Sequence, residues 1–211
     1  MAKTARQIHQ RLLAELGDVV GPLAEQRGAP FAPVSAARLV EAARFLKFTP
    51  GIELDHCDDL TALDWPKRAV IEVVYHLFSY RHRHGLVLKV TVDRRQPVAP
   101  SVQGVWKAAN WMERECHDLF GVAFTGHPDL RRILLPDDWQ GWPLRKDYQE
   151  AGGYHAISNL RENPMTELRR LDEVKLAEVA KSRPPPPAAA APAPAAPPAP
   201  APAAPPAAPK A

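Results

Sequence analysis

Cysteine is scarce in this chain: its 211 residues include only Cys57 and Cys116, which form no CxxC pair. Iron–sulfur clusters and structural zinc sites need sets of closely spaced thiolates, and a disulfide framework needs several cysteines. The sequence therefore predicts no cofactor-binding or metal-ligating residue in this chain. This cysteine usage also favours a reducing, cytoplasmic compartment.

Long apolar runs are missing as well. No stretch approaches the roughly 18 consecutive apolar residues of a membrane-spanning helix, and the amino-terminal MAKTARQIHQRLL has basic residues but no apolar core. We therefore expect the chain to reach a membrane only through other proteins. The GxGxxG, Walker, HExxH and GxSxG motifs are also absent, so dinucleotide, phosphate, zinc and acyl-transfer chemistry is not indicated.

Charge of one sign is not in excess, since 27 Lys and Arg stand against 24 Asp and Glu, a formal net charge of +3. The basic triplets LRR and LRK alternate with aspartates instead of forming a one-sided patch. The sequence thus predicts no nucleic-acid partner.

Proline is abundant by contrast. Of the 24 prolines, 13 lie in residues 184–211, together with 14 alanines and one lysine. This composition is typical of a disordered, partly polyproline-like tail. Residues 151–183 are predicted to be a C-terminal segment that is partly helical.

The amino-terminal part of the chain has the patterns of an α+β domain, predicted over residues 1–125. Apolar residues at helical spacing from Thr4 to Leu16 predict a first helix that Gly17 ends, and Ser35 is a suitable N-cap for a second helix.

Strand patterns follow. Two alternating runs, 69–80 and 86–92, joined by RHRHG, predict a β-hairpin, and a further strand is expected within 52–63. A third helix is predicted from Pro100 and Ser101 to Leu119, with Gly121 as its end. The expected fold class is α+β: a small mixed or antiparallel sheet with flanking helices, followed by an extended C-terminal arm and the disordered Ala/Pro tail.

Residues 126–150, called the arm below, combine dense charge with aromatic residues. Prolines at 128, 136 and 143 exclude long helices and central strands, so the arm is predicted to be extended. Fixed prolines, aromatic anchors and forked arginine donors favour a partner-binding surface. The alternative is that the arm folds back on its own domain through the same Arg–Asp pairs.

Histidines and the end of the third helix are the remaining candidates for sites of chemistry. The neighbouring arginines of His82 and His84 oppose metal binding, so we interpret this pair as part of a solvated loop.

Cys116 and His117 point about 100° apart on a helix, which favours a buried structural cysteine over a nucleophile. At i,i+4 spacing, Glu113 is expected to meet His117, and Arg114 to meet Asp118. No catalytic residue is predicted. A free-standing, histidine-dependent metalloenzyme with the arm as a lid is the distant alternative.

The stretch WMERECHDLFGVAFTGHPDLRRILLP, followed by DDWQGWPLRKDY, resembles the signature of the C subunit of the proton-pumping NADH:quinone oxidoreductase, respiratory complex I (NDH-1). The likeness is strong from Trp106 to Tyr148 and looser through VVYHLFS and LVLKVTVD of the hairpin. One position departs from the family pattern GHPLRKDY, because Trp142 stands where that pattern has histidine.

The resemblance implies a function. The family's complex passes electrons from NADH through FMN and iron–sulfur clusters to quinone and translocates protons. The C subunit is a peripheral-arm component on the cytoplasmic side of the cell membrane. It carries no cofactor, packs on the D subunit, which forms the quinone pocket with the B subunit, and acts in assembly and stability. FMN and the clusters belong to partner subunits. The equivalent component of a membrane-bound hydrogenase, or of a quinone reductase with another donor, is the nearer alternative.

The interface candidates lie at the end of the predicted third helix and in the arm. They are Glu113, Arg114, Glu115, Asp118, His127, Pro128, Arg131, Arg132, Arg145, Lys146, Asp147 and Tyr148.

Overall fold

The central element is a four-stranded mixed sheet. The computed structural model describes residues 2–25, 29–158 and 170–175. Strands β2 (His56–Trp65), β3 (Val70–Ser79) and β4 (His84–Asp93) are antiparallel neighbours, and β1 (Phe31–Pro33) adds to β4 in parallel. The predicted hairpin and the predicted additional strand are confirmed, whereas β1 was not expected.

Helices cover one face of this sheet. Alternation along β3 places Ile71, Val73 and Tyr75 on that face, and all three are buried in the main core cluster. Helices α1 (Ala5–Leu16), α2 (Leu39–Phe48) and α3 (Ala109–Phe120) contribute the other side of the core. The predicted α+β class with a small mixed sheet and flanking helices is thus confirmed.

The first helix begins and ends as its sequence predicts. The Thr4 hydroxyl accepts a hydrogen bond from the Gln7 backbone N–H, and the Gln7 side chain accepts one from the Thr4 N–H. This capping box satisfies two amide donors that a helix leaves unpaired at its start. Ile8 and Leu12 then point into the core with no exposed surface.

The start of the third helix was predicted wrongly. Residue Pro100 lies in β5 (Val98–Pro100), which pairs in parallel with β6 (Ala123–Thr125), and α3 begins only at Ala109. Pro100 therefore ends a strand, and turns occupy most of 101–108. The end of α3 is as predicted, because Gly121 adopts the left-handed conformation at φ 73° and caps the helix.

Met1–Ala151 form one compact unit. Beyond it, β7 (Gly153–Tyr154) pairs antiparallel with β8 (Ile157–Ser158), and residues 170–175 are helical. The predicted Ala/Pro tail lies outside the described residues, and the predicted boundaries at 125, 150 and 183 stay predictions. None of the helices in the described part of the chain has the length and hydropathy needed to span a bilayer.

Candidate interaction site on helix α3 and the arm

The arm runs alongside α3 in the same direction as the helix. Near the helix start, His127 Nε2 donates to the carbonyl of Asn110 at 3.2 Å. Halfway along, Arg114 Nε donates to the carbonyl of Arg131 at 3.2 Å, and near the end the Leu144 N–H donates to a carbonyl of the helix. The fold-back contacts considered as the alternative are therefore present. They fix one side of the arm and leave the other side facing outward.

Asp118 is the strongest attachment point of the arm. Its fully buried carboxylate accepts hydrogen bonds from three consecutive backbone N–H groups, those of Ile133 (3.1 Å), Leu134 (2.7 Å) and Leu135 (3.0 Å). The Arg132 guanidinium lies 3.1 Å away. Burial alone would raise the pKa of Asp118, but these three amides and the guanidinium outweigh it and lower the pKa. The carboxylate is thus held ionised at neutral pH.

Glu113 is also fully buried, and it organises the turn before α3. Its carboxylate accepts from the Ser101 hydroxyl at 2.6 Å and from the Val102 N–H at 2.7 Å. Burial raises the pKa of Glu113 to about 7, against the opposing effect of these hydrogen bonds. The carboxyl therefore changes charge near neutral pH inside the fold.

His127 approaches Glu113 without forming an ion pair. Its Nε2 lies 3.9 Å from the carboxylate, but the same atom donates to the Asn110 carbonyl. Its Nδ1 accepts a hydrogen bond from the Asp129 N–H at 3.1 Å, so Nδ1 carries no proton. The ring thus links the arm to the helix through hydrogen bonds at both of its nitrogens.

The predicted i,i+4 pairs do not form. His117 Nδ1 donates to the carbonyl of Val122 at 3.0 Å instead of meeting Glu113. The guanidinium of Arg114 lies over the Trp111 ring at 5.0 Å and leaves Asp118 to the arm. Backbone groups of the turn and the arm offer these carboxylates more hydrogen bonds than a side chain one helical turn away can give.

The far end of the arm is clamped to the ends of two strands. Arg94 binds Asp64 through two hydrogen bonds of 2.6 and 3.0 Å and also binds Asp147 at 2.6 Å. The Lys146 N–H donates to Asp64 at 2.8 Å. The hydrogen bond from Arg94, ahead of that from Lys146, lowers the pKa of Asp64 against the effect of burial. This clamp was not predicted, although an acidic residue on the core-facing side of β2 signals a buried partner.

Trp142, the position that departs from the family pattern, packs on the end of α3. The Arg145 guanidinium stacks over the Trp142 ring at 4.2 Å from its centroid and donates to the Phe120 carbonyl at 2.7 Å. A Cβ added at Gly121 would lie only 2.3 Å from the Trp142 ring. The indole thus occupies space that only a glycine leaves open.

Burial divides the twelve interface candidates. Glu113 and Asp118 have no exposed surface and Arg114 is 9 % exposed, so the first two lie off any surface that a partner would touch. Arg132, Arg145 and Tyr148 are half-buried, and the side chain of His127 has no exposed surface. Five candidates are exposed: Glu115, Pro128, Arg131, Lys146 and Asp147. Exposed apolar side chains that the prediction omitted lie beside them: Trp111, Leu134, Trp142 and Leu144.

The histidine pair is not a solvated loop. His84 is 5 % exposed; its Nδ1 accepts from the Lys3 N–H at 3.0 Å and its Nε2 donates to the Ile52 carbonyl at 2.7 Å. His82 stacks on this ring and binds the Glu53 carboxylate. Among the described residues, no group of three His, Cys, Asp or Glu side chains is arranged to hold a metal ion.

Both cysteines lie in the core, as predicted for Cys116. Burial raises the pKa of the Cys57 thiol to about 12, and it raises that of Cys116 further. Burial thus disfavours the thiolate form of both side chains at neutral pH.

Together these contacts define a class of protein: a small α+β domain whose C-terminal arm is clamped along one helix, with an exposed outer side of mixed charged and apolar character. The chain belongs to the family described as the 30 kDa subunit of the respiratory-chain NADH dehydrogenase, whose sequence profile matches residues 32–154. The resemblance noted in the sequence is thereby confirmed.

Curated relatives agree with this family. The chain is 45 % identical over 148 residues to the NADH-quinone oxidoreductase C subunit of Roseiflexus sp. (strain RS-1), a match that covers 70 % of this chain and 85 % of the relative. It is 38 % identical over 160 residues to the C subunit of the same enzyme from Chlorobium phaeobacteroides, with 72 % and 96 % covered.

Solved structures show the same fold. A chain of the membrane-bound sulfane sulfur reductase, an archaeal respiratory membrane complex, matches with a TM-score of 0.58 at 26 % identity, over 75 % of this chain and 95 % of that one. The trypsin-resistant fragment (1–134) of Nqo5 matches with a TM-score of 0.50 at 26 % identity, over 59 % and 98 %.

Proposed function

We propose that the chain is a non-catalytic peripheral subunit of a proton-translocating NADH:quinone oxidoreductase and that it acts in the assembly and stability of the quinone-reducing module. The observation that carries the proposal is the family match over residues 32–154, because it spans both the sheet and the clamped arm. In this proposal the D and B subunits are the partners, and FMN and the iron–sulfur clusters reside in other subunits. The chain lies on the cytoplasmic side and meets the membrane only through the complex.

The outer side of the arm is the proposed docking surface for the partner. Arg131 has 75 % of its side chain exposed, and Leu134 is 60 % exposed. Lys146 is exposed, and its side chain, unlike its backbone N–H, makes no hydrogen bond within the described residues. Because the inner contacts already fix the arm, docking costs little further conformational entropy.

Affinity purification of the tagged full-length chain from native membranes tests the proposal. We expect the other subunits of the complex, identified by mass spectrometry, and NADH:quinone activity in the eluate. Recovery of the chain alone would contradict the proposal.

Charge reversal then tests the arm. Lys146→Glu is expected to lower the recovered complex, whereas Arg44→Glu, an exposed cation on α2, should leave it unchanged. Arg145 is less suitable, because its internal contacts with Phe120 and Trp142 would be lost as well. Circular dichroism of each purified variant controls for folding.

The likeness to the sulfane sulfur reductase chain supports a second candidate: the equivalent component of a respiratory membrane complex with another electron donor. Measuring which electron donor the purified complex uses distinguishes the two candidate functions. Quinone reduction with NADH supports the first candidate, and reduction only with another donor supports the second.

A further inference from the structure

The four-stranded sheet has a second face, opposite the helices, which we call the open face. Its residues alternate with the core residues along each strand and lie in cross-strand rows, one of which joins Thr61, Val74 and Lys89. Val74 and Val87 on this face are buried, yet they are not part of the core cluster that the helices complete. The open face thus has apolar content of its own.

The open face has exposed apolar side chains as well as polar and charged ones. When one side of an antiparallel sheet faces water, that side is normally polar. Here Leu63 is 40 % exposed and Trp65 43 % exposed, and they line two adjoining depressions that share Phe31. Exposed aromatic and aliphatic side chains grouped around buried valines mark a surface that a partner covers.

A depression of about 400 Å³ lies on this face, and the cationic side chains that line it outnumber the anionic ones. Within it the Glu72 carboxylate is satisfied by Trp65 Nε1 at 3.0 Å and Arg68 at 2.7 Å. The Lys89 ammonium is 4.0 Å from Glu72, too far for a hydrogen bond, and lies 3.8 Å from the centroid of the Phe31 ring. Two cations therefore surround one carboxylate.

Lys89 is the group whose hydrogen-bonding capacity is unused. Only 20 % of its side chain is exposed, and in the described part of the chain no oxygen accepts a hydrogen bond from its ammonium. An ammonium has three N–H donors, and a partly desolvated one is stabilised by a carboxylate. The ammonium therefore has N–H donors from which an anionic group on this face can accept hydrogen bonds.

We propose that a segment of another protein subunit docks on the open face, with an Asp or Glu carboxylate bound to Lys89 and an aliphatic side chain packed on Leu63 and Val74. The proposal rests on the proposed function, since it requires a multi-subunit complex. It adds a second contact surface, on the sheet face opposite the helices. The apolar part of the face favours a protein segment over a small free anion, which would use the cation alone.

Site-specific photo-cross-linking in the assembled complex tests this docking. Thr91 is exposed and lines the depression, so p-benzoylphenylalanine placed there is within reach of the docked segment. We expect a cross-link to another subunit, at a peptide that contains Asp or Glu. Lys89→Gln should lower the yield by at least about tenfold, because truncating one partner of a buried charge pair weakens binding by more than that, and Lys89→Arg should restore most of the yield. Lys67→Gln, an exposed cation beside Arg68, is the matched control and should change little.

Each other outcome overturns the proposal. If the complex keeps its other subunits but position 91 cross-links only within the chain, to a second copy or to nothing, then the open-face proposal fails while the proposed function stands. An unchanged yield in Lys89→Gln would remove the role of the ammonium. If the wild-type chain recovers no partner subunits, the proposed function fails and this inference falls with it.

Discussion

Replacing Asp118 with asparagine should detach the arm from helix α3. Asparagine keeps the size of the side chain but removes the charge and one of the two acceptor oxygens, so its NH₂ group must face either the N–H donors of Ile133, Leu134 and Leu135 or the Arg132 guanidinium. The Arg132 guanidinium would lose its carboxylate as well. Because Asp118 is fully buried, water cannot replace the lost acceptor.

The expected cost of Asp118→Asn is about 3 to 5 kcal/mol, the range found when one partner of a buried ion pair is removed. That is a large part of the roughly 5 to 15 kcal/mol by which a domain is stable. With a urea dependence of about 2 kcal/mol per molar, the unfolding midpoint should fall by about 2 M. The lowered pKa of Asp118 means that its contribution is present at pH 7 and is lost only as the pH falls through its folded-state pKa.

This cost can be measured by urea unfolding of the full-length chain at pH 7, followed by tryptophan fluorescence. Limited trypsin digestion shows whether the peptide bonds after Arg131 and Arg132 become cleavable when the arm detaches. Asp129→Asn is the matched control: its carboxylate is 45 % exposed and pairs with exposed Arg131, so it should cost less than about 1 kcal/mol. Equal midpoints and equal cleavage rates for the two variants would refute the assignment of Asp118 as the attachment point.

Three further changes have defined outcomes. Glu113→Gln should flatten the pH dependence of stability. Because the folded-state pKa of Glu113 is raised to about 7, wild-type stability is greatest below the unfolded-state pKa and falls by up to about 3 kcal/mol as the pH rises to 8. Urea unfolding of both proteins from pH 5 to 8 measures this difference. Gly121→Ala should destabilise the fold by at least about 1 kcal/mol because of the positive φ at this position, and further because the added Cβ meets the Trp142 ring. In a double-mutant cycle, adding Trp142→Ala should recover only the destabilisation caused by the contact with the ring. Thr4→Ala should cost about 1 kcal/mol in thermal unfolding through the lost cap, while an unchanged midpoint would show that α1 does not depend on it.

Local patterns predicted the elements that local contacts determine. Helix α1 could be delimited because Thr4 and Gly17 at its two ends act through neighbours in sequence. The β3–β4 hairpin could be predicted because its alternation and its turn lie within one continuous stretch. Strand β1 was missed because three residues that include a proline carry little pattern, and its partner β4 lies more than 50 positions away along the chain.

Long-range contacts explain the errors at the candidate site. The two carboxylates assigned to i,i+4 pairs, those of Glu113 and Asp118, find backbone donors 11 to 17 positions away instead. His84 is enclosed by Lys3 and Ile52, which are 81 and 32 positions distant, so its loop-like sequence gave no sign of burial. The charge pattern indicated that these residues have partners, but it could not indicate which ones.

The motif that carries the family resemblance therefore contains two kinds of residue. Asp118 and Glu113 act inside the fold, where Asp118 fixes the arm and Glu113 fixes the turn before α3, whereas Arg131 and Lys146 remain exposed on the outer side of the arm. An arm that is already fixed has lost its conformational freedom before it meets a partner, so less of the binding free energy is spent on ordering it. It follows that Asp118→Asn should weaken assembly even though Asp118 lies off the surface, and that Lys146→Glu should weaken assembly without changing the unfolding midpoint. Measuring the amount of recovered complex and the unfolding midpoint for both variants distinguishes residues that fix the arm inside the fold from residues that contact the partner.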